Sequence, residues 1–155
     1  MGNYTEIFGD LIKMAQNGDF DVISHGTNCF SMMGSGIAPL MAKAFGVDRL
    51  SMEHPDKAGD INKLGQIQWR DVFIKEKQLH VVNSYTQYHY NVKTKPLDYE
   101  ALTLCLRKIN YKFKGLHIGL PAIGCGLAGG DFKIVREIIQ VELKDCDVTV
   151  VLFKK

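Results

Sequence analysis

Two stretches of this chain gather small, flexible and polar residues more densely than ordinary turns need. The first is His25-Gly26-Thr27-Asn28-Cys29-Phe30-Ser31-Met32-Met33-Gly34-Ser35-Gly36-Ile37-Ala38, and the second is Pro121-Ala122-Ile123-Gly124-Cys125-Gly126-Leu127-Ala128-Gly129-Gly130-Asp131. Where Cβ atoms are missing, successive backbone N–H groups can turn into one concavity and a ligand can approach the main chain. A helix entered from such a loop adds about half a positive charge at its N-terminus, so a phosphate is the natural occupant. Gly124, Gly126 and Gly129 satisfy GxGxxG, the glycine pattern of dinucleotide-binding turns. Here, however, it precedes the final strand, and no second domain follows to hold a hydride acceptor. No Gly-Lys-Ser/Thr of a phosphate-binding P-loop follows either cluster. A cysteine phosphatase would carry arginine six residues after its nucleophile, and the residues there are Ser35 after Cys29 and Asp131 after Cys125. Both thiols therefore read as small loop packers. His25, with an ordinary pKa of ~6.5, is suited to acid–base work or to accepting a phosphoryl group. It is equally suited to sitting at a strand end, satisfied by a backbone carbonyl.

The elements that must position these loops alternate in type. Tyr4 to Phe8 reads as a strand, Leu11 to Gln16 as a short helix capped by Asp10, and Phe20 to Ser24 as a buried strand running into His25. Apolar residues at helical spacing predict a helix over Ile37 to Phe45, ended by Gly46; Asp48 to Ala58 reads as another helix, with Pro55 weakening its second half. Gln66 to Ile74 and Leu79 to Asn83 read as strands joined by the turn Lys75 to Gln78, and Ser84 to Pro96 as a tyrosine-rich loop. A helix over Asp98 to Lys112 capped by Asp98, a strand over Leu116 to Leu120, a helix over Phe132 to Leu143 with Asp131 as its cap, and a strand over Asp147 to Leu152 complete the chain. Strands and helices in this order predict an α/β fold in one domain.

The 155 residues carry a formal net charge of +2, are 46% hydrophobic and 23% charged, and have a pI near 8.3. This balance excludes a disordered or fibrous chain, and it supplies no basic field for nucleic acid as a partner. No apolar run reaches the ~18 residues of a membrane span. Residues 1–6 read as the start of the domain rather than a leader, so the expectation is a cytoplasmic, monomeric protein. Cys29, Cys105, Cys125 and Cys146 have neither zinc-site nor disulfide-framework spacing. The remaining histidines, His54, His80, His89 and His117, have no partner at metal spacing. Neither a metal nor a cofactor is expected.

Together these motifs resemble the macrodomain, the ADP-ribose-binding α/β/α module, over nearly the whole chain. Three segments carry the resemblance in order and spacing: Gly9-Asp10-Leu11, His25 to Ala38, and Pro121 to Asp131. It implies a three-layer fold around a mixed sheet of about six strands. In that family the acidic residue after the first strand bonds the adenine amino group, which implies Asp10 with Leu11 beside it. Asp10 as a helix cap alone is the other reading. The resemblance places the diphosphate against Pro121, Ile123, Gly124, Cys125, Gly126, Leu127, Ala128 and Gly129. It places the distal ribose and nearby phosphate against Asn28, Gly34, Ser35, Gly36, Ile37 and Ala38. Phe153 is a candidate to stack on adenine, and Tyr85, Tyr88 and Tyr90 to cover the ribose.

Within the family, Ile23 to Cys29 looks most like the branch containing ADP-ribose-1″-phosphate phosphatases, whose members carry a histidine here with an assigned catalytic role. That implies His25 as the catalytic group, with Asn28 and Ser35 orienting the sugar. The same branch contains glycohydrolases that free ADP-ribose from glutamate using a lysine and an aspartate. Ala128 stands where the aspartate would be, and no lysine directly follows Leu79 to Ser84, which leaves Lys93 and Lys95 as the nearby ammonium groups. The expected activity is hydrolysis of ADP-ribose-1″-phosphate. Two alternatives stay open: a reader that binds ADP-ribose or ADP-ribosylated protein without turnover, and a hydrolase of ADP-ribosyl-glutamate or O-acetyl-ADP-ribose.

Overall fold

The computed structural model describes residues 2–90, 96–126 and 128–153. Six strands form one mixed sheet: β1 (Tyr4–Gly9), β2 (Val22–Asn28), β3 (Ile67–Ile74), β4 (Lys77–Gln87), β5 (His117–Leu120) and β6 (Asp147–Phe153), in the order β1-β6-β5-β2-β4-β3. Every neighbouring pair is parallel except β3 and β4, which form an antiparallel hairpin. Its turn is Lys75-Glu76, with φ of 50° and 67°, the left-handed pair whose twist matches that of the strands it joins.

Among the described residues four α-helices cover the sheet: α1 (Leu11–Gln16), α2 (Ala38–Phe45), α3 (Tyr99–Lys112) and α4 (Phe132–Glu142). Successive strand residues face opposite ways, and the strands are apolar on both faces. Val22, Val82 and Val150 pack with Leu102, Leu106, Ile109, Val135 and Ile139 on the α3 and α4 side. Their neighbours Ile23, Val81 and Val151 pack with Leu11, Met41 and Phe45 on the α1 and α2 side. The result is a three-layer α/β/α sandwich. The predicted aspartate caps hold: the N–H groups of Lys13, Ala101 and Lys133 donate to the carboxylates of Asp10, Asp98 and Asp131 at 3.1, 3.0 and 2.9 Å.

Two expectations fail. The helix predicted over Asp48 to Ala58 is instead three single turns, Val47–Arg49, Ser51–Glu53 and Pro55–Lys57, followed by a fourth at Ile61–Lys63. Leu50, His54 and Ala58 are extended and interrupt it at every fourth residue; His54 precedes Pro55, which disfavours helical backbone there. The second failure is the length of the central strands. β2 pairs with β4 as far as Asn28 with Gln87, through a register shift after Thr27. The first motif therefore begins as strand, and Ser84 to Gln87 are strand rather than loop. Tyr85 is fully buried there, which removes it from the residues expected to cover a ribose.

Candidate functional site

The parallel strands β1, β2, β4, β5 and β6 all end at one edge of the sheet, where open α/β folds bind ligands. A cavity of about 580 Å³ opens there, within the range of small-molecule sites. Gly9 at the end of β1, Asp10 after it, Thr27 and Asn28 at the end of β2, Gln87 of β4, Pro121 after β5 and Phe153 of β6 all line it. Of the sequence-predicted site residues, Asp10, Leu11, Asn28, Ser35, Gly36, Ile37, Ala38, Pro121, Ile123, Gly124, Cys125, Gly126 and Ala128 line the cavity. Gly34 and Gly129 lie in the same two loops but not on the lining. Leu127 lies outside the described residues, as do Lys93 and Lys95.

The polar chemistry of the lining is mostly backbone. α2 has Ile37 as its N-cap, with no side chain capping it and with Pro39 in its first turn, and Ile37, Ala38 and Leu40 line the cavity. Its first helical bond runs from the Met41 N–H to the Ile37 carbonyl, so the Ala38 and Leu40 N–H groups are left for water or a ligand. In the second loop, Cys125 N–H is turned back onto the Ala122 carbonyl and Gly130 N–H onto the Gly124 carbonyl. The N–H groups of Gly124 and Gly126 donate to no backbone carbonyl among the described residues. The helices at the cavity differ in their starts: α4 is capped by Asp131 and α1 by Asp10, whereas α2 has no side-chain cap.

Asp10 serves as a cap through Oδ1 and keeps Oδ2 for a ligand. Asn28 shapes its own loop: its Oδ1 accepts from the Phe30 and Met32 N–H groups at 3.0 and 3.2 Å, and its Nδ2 donates to the Met32 carbonyl at 2.9 Å. One amide hydrogen remains to it. Cys125 lines the cavity with its thiol donating to the Ile123 carbonyl at 3.5 Å, and burial pushes its pKa up to about 11, so it stays protonated near neutrality. The aromatic Tyr90 lines one end and packs on His89 and Phe30, while Tyr88 bonds the Gly59 carbonyl. Ile12, Leu40, Gln87 and Val151 also line the cavity, and no motif pointed to them. Only knowing which strands lie side by side could have done so.

His25 is not on the lining. It is completely buried, and its Nε2 lies 2.7 Å from Asn83 Oδ1. Asn83 Nδ2 is turned the other way, donating to the Val47 carbonyl and Glu53, so His25 Nε2 must carry the proton. Its Nδ1 is buried without a partner among the described residues. Burial drops the His25 pKa to about 4, against the opposing effect of the Asn83 bond. Alternation along β2 explains the placement: His25 shares the parity of Ile23, which points to the α1 and α2 layer. As placed, the imidazole is neutral and buried, with its described bond made to Asn83 and not to the cavity.

No protein-family model matches the chain. An uncharacterised 17.5 kDa protein from the tk–vs intergenic region of Enterobacteria phage T4 is 29% identical over 153 residues, spanning 94% of this chain and 93% of its own. Among solved structures, the macrodomain of Thermus aquaticus DarG superposes with a TM-score of 0.74 over 97% of this chain and 99% of its own at 20% identity. Thermosipho africanus DarTG in complex with ADP-ribose gives 0.74 over 98% of this chain and 42% of its own at 18% identity. This chain has the macrodomain fold.

Proposed function

We propose that the cavity binds ADP-ribose. The observation that carries this reading is the uncapped N-terminus of α2 facing the Gly124 to Gly126 loop across one cavity, with backbone donors on both sides. That arrangement suits a diphosphate. Asp10 Oδ2 and the ring of Phe153 suit the adenine end, and Asn28, Gln87 and Tyr90 suit the distal sugar. The neighbours of this fold support the choice of ligand, since Thermosipho africanus DarTG and the Trypanosoma brucei macrodomain are both described in complex with ADP-ribose.

Turnover is a separate matter. Release of phosphate from ADP-ribose-1″-phosphate needs an acid, a base or a nucleophile at the terminal phosphate. Among the described residues, the ionisable side chains on the lining are Asp10, Cys125 and Tyr90. Asp10 belongs to the adenine end, Cys125 is held as a thiol, and His25 is buried behind the wall. Our reading is therefore a binder of ADP-ribose or of ADP-ribosylated protein. Titration calorimetry with ADP-ribose, NAD and AMP tests it, with ADP-ribose preferred. Incubation with ADP-ribose-1″-phosphate and an ADP-ribosyl ester should give no product; release of phosphate or of ADP-ribose would make the protein a hydrolase instead.

A further inference from the structure

The wall of the cavity formed by residues 32–38 stands on a buried charged cluster. Ser31, immediately before Met32, has φ 61°, a left-handed backbone that a residue with a Cβ keeps only where its surroundings fix it. Here, beside the Asn28 bonds to Phe30 and Met32 on either side, they do so through its hydroxyl, which donates to the Met52 carbonyl at 3.2 Å and accepts from Lys63 Nζ at 3.0 Å. The same ammonium donates to the Met52 carbonyl at 2.7 Å. Lys63 is 3% exposed and Glu53 7%, depths at which ionisable groups are rare without a partner.

Glu53 is the nearby countercharge. Its Oε1 accepts from the Tyr85 hydroxyl and from Asn83 Nδ2, which ties the cluster to β4. Burial lowers the Lys63 pKa and raises that of Glu53, and in each case the charge of the other opposes the shift. The fold gains little from charges here that apolar packing would not supply. What the charges provide is a fixed location for one hydroxyl, and that hydroxyl belongs to the turn that starts the cavity wall.

We propose that Lys63 and Glu53 are positioning residues for the cavity: by holding Ser31 in its left-handed turn they set where the N–H groups of residues 32–38 present themselves. The effect on ligand rests on the ADP-ribose reading above, whereas the anchoring does not. The test compares amide hydrogen exchange and ADP-ribose calorimetry in the parent protein and in Lys63→Met. The reporters are the Phe30 and Met32 amides, both held by Asn28 Oδ1. Exchange there should rise at least tenfold while β2 and β4 amides are unchanged, and the ADP-ribose dissociation constant should rise at least tenfold. Because Lys63→Met strands a buried carboxylate, the double variant Lys63→Met with Glu53→Gln repeats the measurement with both charges gone. Unchanged exchange at Phe30 and Met32 in either folded variant overturns the proposal, as does acceleration spread evenly across the sheet. Faster loop exchange with unchanged affinity overturns the link to the cavity. Should the parent protein ignore ADP-ribose, the nucleotide reading falls, and the two amides alone decide whether the anchor exists.

Discussion

A histidine held neutral inside a fold leaves a signature in stability. The unfolded His25 takes up its proton near pH 6.5, whereas the folded one waits until about pH 4. Between those values the unfolded chain binds more protons, so stability is complete above pH 6.5 and falls as the pH drops. At pH 5 the loss from this one group is about 2 kcal/mol. His25→Gln removes it, so urea midpoints at pH 7.5 and 5 should move further apart in the parent than in the variant. Glu53 acts in the opposite direction: its raised pKa lets the folded state take a proton first, but it is present in both proteins and cancels in the difference. Equal pH dependence in the two proteins would mean that the imidazole is hydrated. The same variant should bind ADP-ribose within about threefold of the parent, since 1.4 kcal/mol marks a tenfold change and His25 lies off the lining. The string Ser24-His25-Gly26 reads as a strand end because a glycine follows. It is strand interior because β4 continues alongside, pairing His25 with Asn83 and running on to Gln87.

At the scale of the loops, two glycines two residues apart do different work. Gly124 has φ 73°, and a Cβ there would stand 2.6 Å from Leu97 Cδ1. Gly124→Ala should cost roughly 1–3 kcal/mol of stability in a urea melt, from backbone and overlap together. Gly126 has an ordinary φ, and a Cβ there would meet nothing within 4 Å. Gly126→Val should therefore change stability by about 0.5 kcal/mol or less, yet weaken ADP-ribose by tenfold or more in calorimetry, because the new methyls stand in the space assigned to the diphosphate. A loss of folding at Gly126, or unchanged binding, would move the ligand elsewhere. Motif spacing made this loop legible, and the short polar side chains of Asp10, Asp98 and Asp131 made the helix starts legible. The segment 47–63 was not. It has no run of apolar residues at helical spacing, and the backbone is extended at Leu50, His54 and Ala58 while Glu53 and Lys63 are buried through contacts with residues distant in sequence.

The whole molecule gathers the ends of five parallel strands around one cavity, and its charge is nearly balanced at +2. The sequence disclosed the two glycine loops and their order. It could not disclose Gln87, Leu40 or Val151, which reach the lining because β4, α2 and β6 flank those loops in space. Among the described residues no lysine or arginine lines the cavity, so on the ADP-ribose reading the diphosphate would be held by oriented N–H groups of α2 and the second loop. Such dipoles act over a few ångströms, inside the ~10 Å over which 0.1 M salt screens charge. Ion pairs between exposed ammonium groups and phosphate would instead weaken steeply as salt rises. ADP-ribose affinity should accordingly change less than about threefold between 0.05 and 0.5 M sodium chloride, measured by calorimetry at constant pH, with +2 leaving little long-range field to screen. A tenfold or larger loss over that range would assign the diphosphate to cationic side chains, and Lys93→Ala and Lys95→Ala would then be the variants expected to flatten the slope.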